Sequence, residues 1–189
     1  MQRSPGAADD AMCPLVYRHP SGVLMTAALL DFVDLTVPGG PVGETWLRLF
    51  RPVDAAEPLP VVLYVHDGEQ RSGDARVRRL ATRLMTDLRV AVVVVDYSLS
   101  PKARYPVAIE ETYAAAAWVA LHGGEHLLDG TRIAVAADPG AAELAAQLMA
   151  TAGNRGGPAL AAHVPVGPRM RTRLGAALGR AWPVPKRSG

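Results

Sequence analysis

Two stretches, residues 59–66 (LPVVLYVH) and 89–97 (RVAVVVVDY), are almost wholly apolar, and they constrain the fold more than any other feature of the chain. A strand with one wet face alternates polar and apolar residues. A run without alternation is buried on both faces, as in the parallel sheets of α/β proteins. Between the two runs, 74–88 (DARVRRLATRLMTDL) places Val77, Leu80, Leu84 and Leu88 at helical spacing. The pattern then repeats: a turn at 98–106 (SLSPKARYP), a helix at 107–123 (VAIEETYAAAAWVALHG), a buried strand at 132–137 (RIAVAA), a helix at 141–153 (AAELAAQLMATAG) ending at Gly153, and a further strand at 158–166 (PALAAHVPV). The order β-α-β-α-β-α-β predicts a doubly wound, mostly parallel sheet with right-handed crossovers and helices on both faces.

Upstream the period changes. Residues 31–37 (DFVDLTV) alternate Phe32, Asp34 and Thr36 against Val33, Leu35 and Val37, as a half-buried strand does. After the turn PGGPVG, residues 44–52 (ETWLRLFRP) set Thr45, Leu47, Leu49 and Arg51 against Glu44, Trp46, Arg48 and Phe50, with Leu47 and Leu49 as the expected core contacts. Two such runs around a Gly/Pro turn predict an N-terminal β-hairpin.

The chain has 189 residues, enough for one domain with a real core. We expect an arm over 1–28, a core over 29–168 and a basic tail over 169–189. Hydrophobic residues make up 49%, which excludes a disordered chain. The longest apolar run of the arm, 22–30 (GVLMTAALL), predicts a short helix packed on the domain. It has about half the residues a membrane span needs. With no basic cluster before it and Asp31 directly after, it is also a poor signal peptide. The single cysteine, Cys13, excludes an intramolecular disulfide, is read as a spectator thiol, and fits a cytoplasmic setting. A net charge of +2 makes no general case for nucleic acid. Arg, Ala, Gly and Pro are abundant and only Lys102 and Lys186 are lysines, a bias expected of a GC-rich bacterial genome.

Several motifs in one order carry a resemblance. LPVVLYVHDGEQRSGD looks like the family pattern of a strand, His-Gly-Gly-Gly and a Gly-Asp pair. VVVVDYSLSPKARYPVAIEETYAAAAWV looks like the Asp-Tyr-Arg-Leu-Ala-Pro segment with its helix, and RIAVAADPGAAELAA like the strand, Gly-Asp-Ser-Ala-Gly-Gly elbow and helix. With the hairpin, the chain resembles the hormone-sensitive-lipase-like branch of the α/β hydrolases, truncated on its C-terminal side. The resemblance implies a carboxylic-ester hydrolase that uses a serine nucleophile, a histidine base, an orienting acid and an oxyanion hole.

Carried over residue by residue, the machinery is incomplete. In the elbow Ala137 stands for the first glycine, Asp138 for the aspartate, Pro139 for the serine, and Gly140, Ala141 and Ala142 for the rest. Proline has no hydroxyl, and its ring fixes φ near about −65°, whereas the elbow's central residue takes a strained positive φ. A register slipped by one residue would make Asp138 the nucleophile between Ala136 and Gly140, but Pro139 would then have to supply an N–H it lacks. The alternative for Asp138 is an N-cap before a proline at the first helical position. In the oxyanion loop His66 and Gly68 are kept while Asp67 and Glu69 replace glycines, with charge of the wrong sign for an oxyanion. Read as a turn, the same HDGE is simply solvated.

His163 lies in the last apolar strand, and His19, His66, His122 and His126 precede the elbow, so none matches the family's catalytic histidine. Ser98 and Ser100 read as turn residues with no base. We therefore expect a vestigial loop and elbow (His66, Asp67, Gly68, Glu69, Asp138, Pro139, Gly140) with no catalytic residue, metal or cofactor. Three functions stay open: an inactive relative that binds a partner or small molecule, a hydrolase with displaced residues, and an unselected fragment of a decayed gene. The last strand predicts an exposed sheet edge and self-association. In the tail, Met170, Leu174, Leu178 and Trp182 could line one helix face among basic residues. Such a tail could bind anionic lipid or an acidic partner, fold over the sheet edge, stay disordered, or be read out of frame.

Overall fold

The computed structural model describes residues 17–18, 24–25, 30–41, 43–68, 73–99 and 105–181. Eight strands and four α-helices follow in the order β1 (Tyr17–Arg18), β2 (Leu24–Met25), β3 (Leu30–Pro38), β4 (Glu44–Pro52), β5 (Leu59–Val65), α1 (Ala75–Leu88), β6 (Ala91–Asp96), α2 (Val107–His122), β7 (Leu128–Ala137), α3 (Ala142–Asn154), β8 (Leu160–Pro165) and α4 (Met170–Ala181). The main sheet has six strands in the order β3-β4-β6-β5-β7-β8. β3, β4 and β6 pair antiparallel; β6, β5, β7 and β8 pair parallel. This is the doubly wound, mostly parallel sheet with an N-terminal hairpin that the alternation predicts.

The apolar runs work through their period of two. Val61, Leu63 and Val65 of β5 and Ala91, Val93 and Val95 of β6 point into one core layer, which α2 and α3 cover with Ala115, Val119, Ala145 and Leu148. Val62, Tyr64, Val92 and Val94 point into the other, covered by α1 and α4. Small residues let the first layer close tightly: a Cβ on Gly130 would lie 2.5 Å from the Ala120 carbonyl oxygen.

Three expectations need correction. Leu24–Met25 is not helical but pairs antiparallel with Tyr17–Arg18, and Leu30 already belongs to β3. The sequence between the two short strands carries Pro20, Ser21 and Gly22, which favour chain reversal. Phe50 is buried although it alternates with exposed Trp46, because α1 covers its end of the sheet. Arg48, midway between them, pairs with Asp34 through two 2.6 Å bonds and lies 5.1 Å over the Phe32 ring. Finally, the helix of the tail covers a sheet face, not the edge. Met170, Leu174 and Leu178 are buried in the α1-side layer, while Trp182 lies outside the described residues. Cys13 lies outside them too. No described helix is long and apolar enough to cross a membrane.

Candidate functional site

Parallel strands end on the same side of a sheet, and in open α/β folds ligands bind at those carboxyl ends. Here β5, β6 and β7 deliver three short segments to that side: His66–Gly68, Asp96–Ser98 and Asp138–Gly140.

The third segment occupies the place of the elbow. Pro139–Ala141 forms one 3-10 turn that runs into α3, and Asp138 before it is extended at φ −63° and ψ 155°. Among the described residues the non-glycine positive φ values belong to Arg89 and Leu127, and Gly140 is not among the left-handed glycines. The turn is thus an ordinary helix start. Proline fits it, since the first N–H of a helix has no internal partner.

Asp138 holds the N-cap position, yet its side chain makes no capping bond. It turns inward and is fully buried. The Tyr64 hydroxyl donates to Oδ2 at 2.7 Å and the Asp67 N–H donates to the same oxygen at 3.3 Å. Oδ1 has no hydrogen bond, but Arg76 Nη2 lies 3.6 Å away. A buried carboxylate needs such partners to offset the loss of water. Burial and the Asp138 bond push the Tyr64 phenol well above its usual range. Gly140 lies close to the same group, since a Cβ there would be 3.0 Å from the Asp67 Cβ.

His66 is buried, its ring stacked on Tyr97 at 5.1 Å. Its Nδ1 donates to the Asp67 carbonyl at 2.8 Å. Nε2 has no well-aligned hydrogen bond and lies 3.3 Å from Asp96 Oδ1. With Nδ1 donating, only an imidazolium can also offer a proton to that carboxylate. Burial lowers the His66 pKa, but the Asp96 carboxylate, the Asp67 carbonyl and the Asp138 charge outweigh it, and the net shift is upward. The Tyr97 hydroxyl donates to the His66 carbonyl at 2.5 Å, and burial, with the charges of Asp67 and Asp138, raises its pKa to about 12.

Ser98 is more than a turn residue. Its N–H and hydroxyl donate to the two oxygens of buried Glu111, at 2.5 and 2.8 Å. Glu69 and Ser100 lie outside the described residues.

The other described histidines sit elsewhere. His122 and His126 flank the Trp118 ring where α2 leads back to the amino end of β7. His163 stands opposite Val135 in β8; burial and Arg173 lower its pKa. No cluster among the described residues has the side chains of a metal site.

The structure thus brings His66, Asp67, Asp138, Pro139 and Gly140 together, while Gly68 lies against Leu99. The sequence reading missed Tyr64, Asp96, Tyr97 and Glu111. Glu111 carried a signal: it precedes Ala115 and Val119 by four and eight residues, on the inward stripe of α2. Tyr64 carried none, being one apolar residue within an apolar run.

A family model described as alpha/beta hydrolase fold matches residues 62–181. The chain is 41% identical to Esterase LipI of Mycobacterium tuberculosis over 133 residues, which are 68% of this chain and 41% of that protein. It is 35% identical to the Acetyl esterase of Salmonella schwarzengrund over 106 residues, 56% of this chain and 32% of that one. The solved carboxyl esterase 2 of Tuber melanosporum superimposes with a TM-score of 0.67 at 32% identity, covering 74% of this chain and 45% of that one. The chain spans less than half the length of these relatives. Strand order, motif order and matched residues agree: the chain belongs to the α/β-hydrolase family, in its hormone-sensitive-lipase-like esterase branch.

Proposed function

We propose that this chain is a non-hydrolysing relative of the esterases it resembles, a cytoplasmic protein that acts by binding a partner or small molecule. One observation carries the reading: Pro139 takes the nucleophile's place in a regular 3-10 turn, with neither a hydroxyl nor the strained φ that presents one. The slipped register fares no better. Asp138 is fully buried, one of its oxygens accepts two bonds, and the following residue has no N–H to hold an oxyanion. His66 is buried, with Nδ1 bonded to the Asp67 carbonyl and Nε2 turned toward Asp96, so neither nitrogen faces a nucleophile. Support for a folded binding role over an unselected fragment comes from α4, whose apolar stripe completes a core layer.

The test is an assay with short-chain p-nitrophenyl esters. We expect turnover no greater than a no-protein control. Turnover that disappears in Asp138→Asn would overturn the reading and install a carboxylate nucleophile.

A further inference from the structure

We propose that the outer face of α1 and α4 is a docking surface for anionic phospholipid. The two helices lie side by side over one sheet face and are tied by Arg171 Nη1 to Asp87 Oδ2 at 2.5 Å. Their exposed residues include Arg78, Arg79 and Arg83 on α1, and Arg169, Arg171 and Arg173 at α4. Asp74 and Asp87 are the acids on this pair of helices and their caps, and Asp87 is already engaged by Arg171. From Leu144 to Gly189 the sequence has no acidic residue. The helices of the opposite face, α2 and α3, contain no Arg or Lys and carry Glu110, Glu111 and Glu143. The modest net charge of +2 therefore conceals a cluster of arginines on the α1–α4 side of the sheet. Among the described residues, no carboxylate lies within ion-pair distance of Arg78, Arg79, Arg83, Arg169 or Arg173.

The geometry points to a flat array of phosphates. Arg79 and Arg83 are about one turn apart on α1, about 6 Å along its axis, and Arg173 stands one turn beyond Arg169, whose carbonyl accepts from the Arg173 N–H at the start of α4. The helices stand about 8–10 Å apart. Guanidinium groups bind phosphate oxygens through paired donors. A flat two-helix face does not enter a duplex groove, which takes a single protruding helix or ribbon. Among the described residues it offers no stacking platform for single strands either, because their large exposed hydrophobic residues, Phe32, Trp46, Val53, Tyr105 and Leu121, lie on other elements. The apolar stripes of α1 and α4 are buried in the core, so attachment is electrostatic rather than by insertion. In sequence α4 is followed by Trp182, Lys186 and Arg187, residue types that favour a phospholipid interface.

The test is co-sedimentation of the full chain with vesicles of phosphatidylcholine alone or mixed with phosphatidylserine, at low and physiological salt. Binding to the mixed vesicles only, weakening with salt, is expected. Arg79→Gln/Arg83→Gln/Arg173→Gln should lower the partition coefficient about 100-fold, at roughly fivefold per arginine. Lysine at the same three positions should keep binding, which separates charge from folding. Arg51→Gln/Arg155→Gln, which removes two charges from the other side of the sheet, should stay within about fivefold of the parent. The proposal is overturned if the parent does not bind, if both glutamine variants lose binding equally, or if the chain prefers duplex DNA to vesicles at equal phosphate.

Discussion

Pro139 shows how one side chain closes two routes at once. It removes the hydroxyl, and its ring holds the turn away from the strained φ that presents one. Pro139→Ser lifts both restraints but supplies no base, since His66 is bonded to the Asp67 carbonyl and faces Asp96, so it is expected to recover no esterase activity and no labelling by a serine-directed phosphonate. It should also cost about 0.4–1 kcal/mol of stability, because the unfolded chain regains freedom the ring had removed. Covalent labelling of that variant would reveal a base not recognised here. His66 permits a test by pH. Its folded pKa is raised above the ordinary 6.5, so its contribution to stability is complete below about pH 6.5 and disappears as pH rises through the folded value. The melting temperature should fall across that window in the parent and fall less in Asp96→Asn; equal slopes would show that the pair does not hold the proton. Residue types at the elbow and loop were readable because chemistry and φ are properties of single residues. The partners of Asp138 were not, since Tyr64 lies 74 positions away in sequence and only the parallel pairing of β5 with β7 brings it near.

Elements were legible where period and burial agree. β4 begins and ends where its alternation does, and β5 and β6 fill both core layers as unbroken apolar runs must. The short pair β1–β2 was not legible, because two strands of two residues each leave no period to read. For the tail, the stripe Met170–Leu174–Leu178 indicated a helix but could not say which surface it covers. Packing against α1 and the sheet makes Leu174 part of the main core. Leu174→Ala should then cost about 2–5 kcal/mol in chemical denaturation. A loss below 1 kcal/mol would mean that α4 contributes little to the folded state.

At the scale of the whole molecule, topology followed from the order of elements, while the clustering of charge did not. Arginines spread along the sequence gather on one face only once the crossovers place α1 beside α4. The sheet also has unlike margins. β3, at one end, carries Asp31 and Asp34, each paired with an arginine of β4. β8, at the other end, carries His163 and otherwise uncharged residues, with Pro165 as its last. Charges and bulges are the usual guards of a free margin, and β8 has few. We expect self-association through β8 at micromolar concentration, seen as a rise in mass by light scattering; a constant monomer mass would exclude it. The strand order has a further consequence, for a chain made from its N-terminus. β4 and β5 are consecutive in sequence, but β6 lies between them in the sheet. On the ribosome the hairpin and β5 emerge while the strand that must separate them is still unmade, and any pairing of β4 with β5 would have to be undone. The nascent chain is best served by keeping those two strands apart, and committing to its fold only after Asp96 has been added.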